Sequence, residues 1–176
     1  MEEKYTRAAP GGVGFAKNAG NYGCSLKAAA EARAQGYDQV LWTDAFEHKY
    51  VQECGTMNVF FIINNIAITP SLEEGTILEG VTRASVMQGL KEMGIPVEER
   101  KISIDEVVEA YNAGKITEVF GTGTAAVIAP IKELNYKGFQ MHFNIDNYKI
   151  SNSVKKWLAD IREGRGNDKY GWMVKV

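Results

Sequence analysis

Short apolar runs alternate along this chain with segments whose apolar residues recur at helical spacing. The apolar runs predict strands over residues 5–9, 39–43, 50–53, 57–63, 66–68, 97–102, 118–122, 125–130, 133–136, 139–143 and 172–174. Alanine-rich or amphipathic spacing predicts helices over residues 24–35, 83–93, 103–114 and 153–163. Strands outnumber helices and are interspersed with them. The pattern therefore favours an α/β fold in which a mixed sheet closes on itself with helices outside, within one domain over residues 1–176.

Polar residues at the ends of these segments predict how two of the helices begin. The alanine-rich helix has Asn21 or Ser25 as a candidate N-cap and Gly36 as its stop signal. Ser103 and Glu106 have the spacing of a capping box at the start of the third helix. Local sequence thus predicts where both helices start.

Composition bounds the class of protein. The 176 residues are 45% hydrophobic and 24% charged, which is typical of a globular domain. The net charge of −2 gives no electrostatic reason to expect nucleic acid or an anionic membrane as a partner. Cys24 and Cys54 form no CxxC pair, and His48 and His142 are isolated, so we expect free thiols and no metal site. We expect a soluble cytoplasmic protein.

The stretch over residues 11–23 combines many glycines with Lys17 and Tyr22. Glycines let a backbone approach a ligand closely, and a lysine held in such a pocket can act as a nucleophilic amine. A mobile linker with a solvated lysine is the alternative. This pattern alone does not decide between the two.

Three later segments change the interpretation. Glu53 precedes the sequence Gly-Thr-Met-Asn, and Gly80-Val81-Thr82 opens a predicted helix, where an anion site or simple capping are both possible. The third segment, residues 121–126, reads Gly-Thr-Gly-Thr-Ala-Ala, and its Gly-x-Gly turn is weak evidence by itself. Taken singly, Glu53 could be a solvated charge at a strand end.

Together with Lys17 and Tyr22, and in this order, these segments resemble the fold-type IV aminotransferases that use pyridoxal phosphate. Within that group they look like branched-chain amino acid aminotransferase. The resemblance runs from about Tyr5 to the C-terminus and matches only the C-terminal large domain of such an enzyme. It implies a pseudo-barrel built on a mixed sheet with flanking helices.

The resemblance also implies roles for individual residues. Lys17 would form a Schiff base with pyridoxal 5′-phosphate and move the proton at Cα of the amino acid. Tyr22 would hydrogen-bond the phenolic oxygen of the cofactor, and Glu53 would face its pyridine nitrogen. The residues implied for the cofactor phosphate are Gly80, Val81, Thr82 and Thr124. Those implied for the substrate are Thr56, Met57, Thr124, Ala125 and Ala126.

The implied activity is amino transfer between leucine, isoleucine or valine and 2-oxoglutarate, by a homodimer in the full-length enzyme. The small N-terminal domain of such an enzyme has no match here, so we expect a fragment with little activity alone. A D-amino acid aminotransferase or aminodeoxychorismate lyase of the same fold is the alternative within the fold. A non-catalytic module that needs a partner chain is the alternative outside it.

Overall fold

The computed structural model describes residues 1–174, which form four α-helices, nine strands and a short 3-10 turn at Ile145–Asn147. The helices are α1 (Ala19–Ala34), α2 (Val81–Glu92), α3 (Ile104–Asn112) and α4 (Ile150–Arg162). The first strands are β1 (Leu41–Thr43), β2 (Val51–Cys54), β3 (Met57–Ile63), β4 (Ile66–Thr69) and β5 (Val97–Glu99). The others are β6 (Ile116–Gly123), β7 (Val127–Pro130), β8 (Glu133–Tyr136) and β9 (Phe139–His142).

Strand β3 is the centre of a seven-stranded mixed sheet. It pairs with β2, β4 and β6, while β1 extends the sheet beyond β2, β5 beyond β4 and β7 beyond β6. These pairings are antiparallel except that of β4 with β5, and β8 and β9 form a separate hairpin. The mixed α/β class with helices flanking the sheet is confirmed.

The two faces of β3 supply two parts of the core. Phe60 and Ile62 pack with Phe120 of β6 and with the apolar side chains of α2 and α4, and the Phe60 and Phe120 rings stack at 5.3 Å. Phe61 faces the other way, into the cluster that contains α3 and the β8–β9 hairpin. A strand that is apolar on both faces is expected to be buried between two layers, as this one is.

Helix α1 lies over the edge of the molecule and buries little. Ala28 packs against Val40 and Trp42, and most other side chains of the helix are exposed. The helix begins at Ala19, earlier than predicted, and its N-cap is Asn18, whose side chain accepts from the Asn21 backbone N–H at 3.2 Å. The predicted caps Asn21 and Ser25 were therefore wrong.

The remaining differences are at chain segments whose partners are remote in sequence. Residues 5–9 and 172–174 form no strand. Helix α4 begins at Ile150 instead of residue 153, because the buried Glu118 carboxylate accepts the backbone N–H groups of residues 149–151. In α3, Ser103 caps the helix as predicted, but the Glu106 side chain pairs with Arg100. In the described part of the chain, no helix has both the length and the apolar character needed to cross a membrane.

Candidate active site

The glycine-rich stretch folds into a loop that is fastened to residues 75–76. The Phe15 backbone N–H donates to the Gly75 carbonyl at 3.1 Å, and Gly14 packs so closely that a Cβ there would lie 2.6 Å from the Thr76 carbonyl oxygen. The Asn21 side chain donates to the carbonyl of Ala16 at 2.7 Å. These contacts place Lys17 directly before the N-cap of α1 and argue against the linker interpretation.

Lys17 lines a cleft between this loop, the end of β2 and the segment before α2. The empty volume of the cleft is about 380 Å³ when the open solvent at its mouth is included. Four of the predicted site residues, Lys17, Tyr22, Glu53 and Thr56, lie in it, together with Arg7, Gly14, Ala16, Asn21, Ser25, Gly55 and Leu78.

Glu53 is a carboxylate buried at the floor of this cleft, with 4% of its surface exposed. Its Oε1 accepts from the Leu78 backbone N–H at 2.9 Å, and its Oε2 lies 3.5 Å from Nε of Arg7. Burial raises the pKa of Glu53, while the Arg7 charge and the Leu78 N–H act in the opposite direction. An acid in this position is suited to face a cationic group.

Arg7 is a site residue that the sequence reasoning missed. It is buried, and its guanidinium also donates to the Thr76 carbonyl. The signal that could have found it is an arginine followed by Ala8 and Ala9 in a short stretch otherwise interpreted as a strand. Buried arginines are uncommon unless they are paired.

A row of polar side chains crosses the sheet from Glu53. Glu53 is the cross-strand partner of Asn58, and Asn58 is the partner of Thr122 on β6, so all three project from the same face. Asn58 donates to the Leu78 carbonyl at 2.9 Å. The backbone of Leu78 is thus held on its N–H side by Glu53 and on its carbonyl side by Asn58, which positions the start of α2.

The N-terminus of α2 follows directly. Gly80 is its N-cap in extended conformation, no side chain caps the helix, and Val81 is exposed. A Cβ at Gly80 would lie 2.1 Å from Oδ1 of Asn58. Helix N-termini without a capping side chain leave N–H groups available to an anion. Neither Val81 nor Thr82 is among the residues that line the cleft.

The turn between β6 and β7 holds the last group of predicted residues. Thr124, Ala125 and Ala126 are exposed in the turn and do not line the cleft, and the strand predicted from residue 125 begins at Val127. Met57 packs on this side too, since a Cβ at Gly121 would lie 2.8 Å from its Cε.

Two further observations concern ligands. The hydroxyl of Thr122 is buried and has no hydrogen-bond partner, so a polar group beside it would be favoured. Among residues 1–174, no three histidine, cysteine, aspartate or glutamate side chains come close enough to hold a metal ion.

Comparison with known proteins identifies the family of this chain. The model of the family described as amino-transferase class IV matches residues 7–134. The chain belongs to the class IV aminotransferases. Branched-chain-amino-acid transaminase 1 of Bacillus subtilis is 50% identical over 177 residues, which are all of this chain and 49% of that protein.

Solved branched-chain aminotransferase structures share the fold. The branched-chain aminotransferase of Thermoproteus uzoniensis with norvaline has a TM-score of 0.81 at 31% identity, covering 98% of this chain and 53% of that one. The T.th. branched-chain enzyme complexed with N-(5′-phosphopyridoxyl)-L-glutamate has a TM-score of 0.81 at 28% identity, covering 98% and 54%. The resemblance deduced from the motifs is therefore confirmed at the level of family and fold, and the chain spans about half the length of these relatives.

Proposed function

We propose that this chain supplies the pyridoxal phosphate side of a branched-chain amino acid aminotransferase, as the large domain of such an enzyme. The observation that carries the proposal is the cleft that brings the amine-bearing Lys17 together with the buried carboxylate of Glu53. Bound pyridoxal phosphate would supply an electron sink for the negative charge that develops at Cα of the amino acid.

The residues of the cleft fit that cofactor. The buried Glu53 carboxylate accepts a hydrogen bond from the Leu78 N–H and lies beside Arg7, which leaves lone pairs free on its oxygens. It would accept the N–H of a protonated ring nitrogen. Lys17 would attach to the aldehyde and, once released, take and return the proton at Cα. The Tyr22 hydroxyl would donate to the phenolic oxygen.

The phosphate would be held outside the cleft floor, at the start of α2. Gly80, Val81 and Thr82 offer backbone N–H groups there, and Thr124 would add its hydroxyl from the exposed turn. Thr56, Met57 and the N–H groups of residues 124–126 are the proposed contacts for the amino acid.

Amino acids and 2-oxo acids are the proposed substrates, with leucine, isoleucine or valine as donors and 2-oxoglutarate as acceptor. The names of the Bacillus subtilis and Thermoproteus uzoniensis proteins support the branched-chain choice. A D-amino acid aminotransferase or aminodeoxychorismate lyase is the other candidate within the fold. Assays with the L- and D-forms of leucine and with alanine distinguish them.

The activity is proposed for a longer enzyme. Relatives are about twice as long as this chain, and Val13, Phe15 and Leu26 near the cleft are exposed apolar side chains that a partner would cover. We propose a homodimeric, cytoplasmic full-length enzyme and little turnover by this chain alone. The two cysteines, both free thiols, are consistent with a reducing compartment.

The test is chemical labelling of the chain. It is mixed with pyridoxal phosphate and reduced with borohydride, and the adduct is mapped by peptide mass. We expect the adduct on Lys17, its loss in Lys17→Arg, and its retention in Lys27→Arg, which changes an exposed lysine on α1. Labelling scattered over surface lysines, or none at all, would contradict the proposed site.

A further inference from the structure

Arg7 has an environment that a structural salt bridge alone does not explain. It is buried, its guanidinium contacts the Thr76 carbonyl, and its Nε makes no hydrogen bond although Oε2 of Glu53 lies 3.5 Å away. A buried charge with an unsatisfied N–H is costly, and an apolar residue of similar volume would often be tolerated at least as well. The arginine at this position therefore points to a need for its charge.

We propose that Arg7 is a positioning residue that keeps the Glu53 carboxylate ionised and aimed into the cleft, an inference whose catalytic consequence rests on the proposed function. The groups that face Glu53 are the Arg7 guanidinium from the N-terminal segment and the Leu78 N–H from the segment before α2. Lys17 and Tyr22 share the cleft from the glycine-rich loop and α1, and Asn58 is its neighbour on β3.

The charge of Arg7 matters for the protonation state of Glu53 because burial disfavours the ionised carboxylate. Desolvation raises the pKa of Glu53, and Arg7 is the leading influence that lowers it. A Glu53 side chain that carried its own proton would offer a donor to a ring nitrogen that also needs to donate. An ionised Glu53 would instead accept that hydrogen bond and would favour the protonated form of the ring, which is the better electron sink.

Arg7 also contacts both Glu53 and the segment against which the lysine loop packs. Its guanidinium binds the Thr76 carbonyl, and that same carbonyl is the surface against which Gly14 of the lysine loop packs. One side chain thus joins Glu53 on β2 to the segment that carries the Lys17 loop. Removal of the arginine would loosen both walls of the cleft.

The experiment measures the ionisation of Glu53 directly, in the chain without cofactor. The protein is labelled with ¹³C at the side-chain carboxyl carbon of glutamate, Glu53→Gln assigns the resonance, and the pH midpoint of Glu53 is recorded by NMR. Arg7→Gln removes the charge, Arg7→Lys keeps it, and Arg33→Gln makes the same neutralising change at an exposed arginine in the last turn of α1.

A second variant covers the case in which Arg7→Gln does not fold. Citrulline has nearly the shape of arginine without its charge, and it can be placed at position 7 by ligating a synthetic peptide of residues 1–23 to residues 24–176. The junction between Gly23 and the exposed Cys24 suits this chemistry and leaves no added atoms. The refolded product is the full chain.

We expect the Glu53 midpoint to move to higher pH with glutamine or citrulline at position 7, to return toward the wild-type value in Arg7→Lys, and to stay unchanged in Arg33→Gln. A midpoint in the citrulline protein that equals the wild-type midpoint overturns the proposal. The labelling of Lys17 is read separately. A shifted Glu53 with an unlabelled Lys17 would refute the proposed function and leave the relation between Arg7 and Glu53 standing.

Discussion

Gly80 at the start of α2 offers a sharp test of how the site is assembled. Its backbone, at φ −74° and ψ 127°, is one that alanine adopts without strain. The closest obstacle is Oδ1 of Asn58, which would lie 2.1 Å from the new Cβ. Gly80→Ala therefore tests the contact between the new methyl group and Asn58 without adding backbone strain.

The magnitude follows from what Asn58 must give up. Relief of the clash requires Asn58 to retreat by about 1 Å, and overpacking of this kind costs about 1–3 kcal/mol. That movement also breaks the 2.9 Å hydrogen bond from Asn58 to the Leu78 carbonyl. A lost hydrogen bond at a partly buried site adds about 1 kcal/mol, so Gly80→Ala should cost about 2–4 kcal/mol in total.

The assay is urea unfolding followed by tryptophan fluorescence, with the free energy extrapolated to water. Asn58→Ala removes the obstacle, so Gly80→Ala should cost less than about 0.5 kcal/mol in that background, which gives a coupling energy of about 1.5 kcal/mol or more. Gly23→Ala in α1 is the matched control. A Cβ there meets nothing within 4 Å. The helix should gain about 0.5–1 kcal/mol from that change. Equal costs of Gly80→Ala in the two backgrounds would refute the reasoning.

Three further predictions concern groups outside the cleft. Glu118→Gln should lower the free energy of unfolding in urea by about 2–3 kcal/mol, because the carboxylate accepts three N–H groups at the start of α4 at 2.7–2.8 Å and an amide cannot accept all of them. A loss under about 0.5 kcal/mol would contradict this. Burial raises the pKa of the Cys54 thiol to about 12, so Ellman's reagent at pH 8 should modify Cys24 alone in the folded chain and both cysteines in urea; two reactive thiols in the folded chain would be the contrary result. Burial alone would raise the pKa of Asp44, but four backbone N–H groups bind its carboxylate and hold that pKa below the ordinary value. The stability that these hydrogen bonds give the folded chain is therefore present at neutral pH, and it is lost as the pH falls through the lowered pKa. Asp44→Asn should cost about 2 kcal/mol at pH 7 and flatten the acid side of a pH–stability curve, and an unchanged acid side would count against it.

Local sequence was sufficient for much of the fold. The apolar run of β3 and the Ser103 cap of α3 were predicted from residues that lie within a few positions of one another, and the structure agrees with both. The ordered motifs around Lys17, Glu53 and Gly80 were likewise enough to indicate the class IV aminotransferase family. Such features depend on backbone propensity and on contacts between near neighbours, which a single sequence displays directly.

Tertiary structure decided the features whose partners are distant along the chain. Glu118 caps a helix that begins 32 residues later. Arg7 meets Glu53 only because the fold brings the N-terminal segment beside β2, and Asn58 reaches Leu78 only because β3 lies beside the segment before α2. A buried polar group must find a partner wherever the fold provides one, and no spacing rule reveals that partner in advance. The sequence determined which chemical groups the cleft contains, and the packing of remote segments decided how Glu53 and Lys17 are held in it.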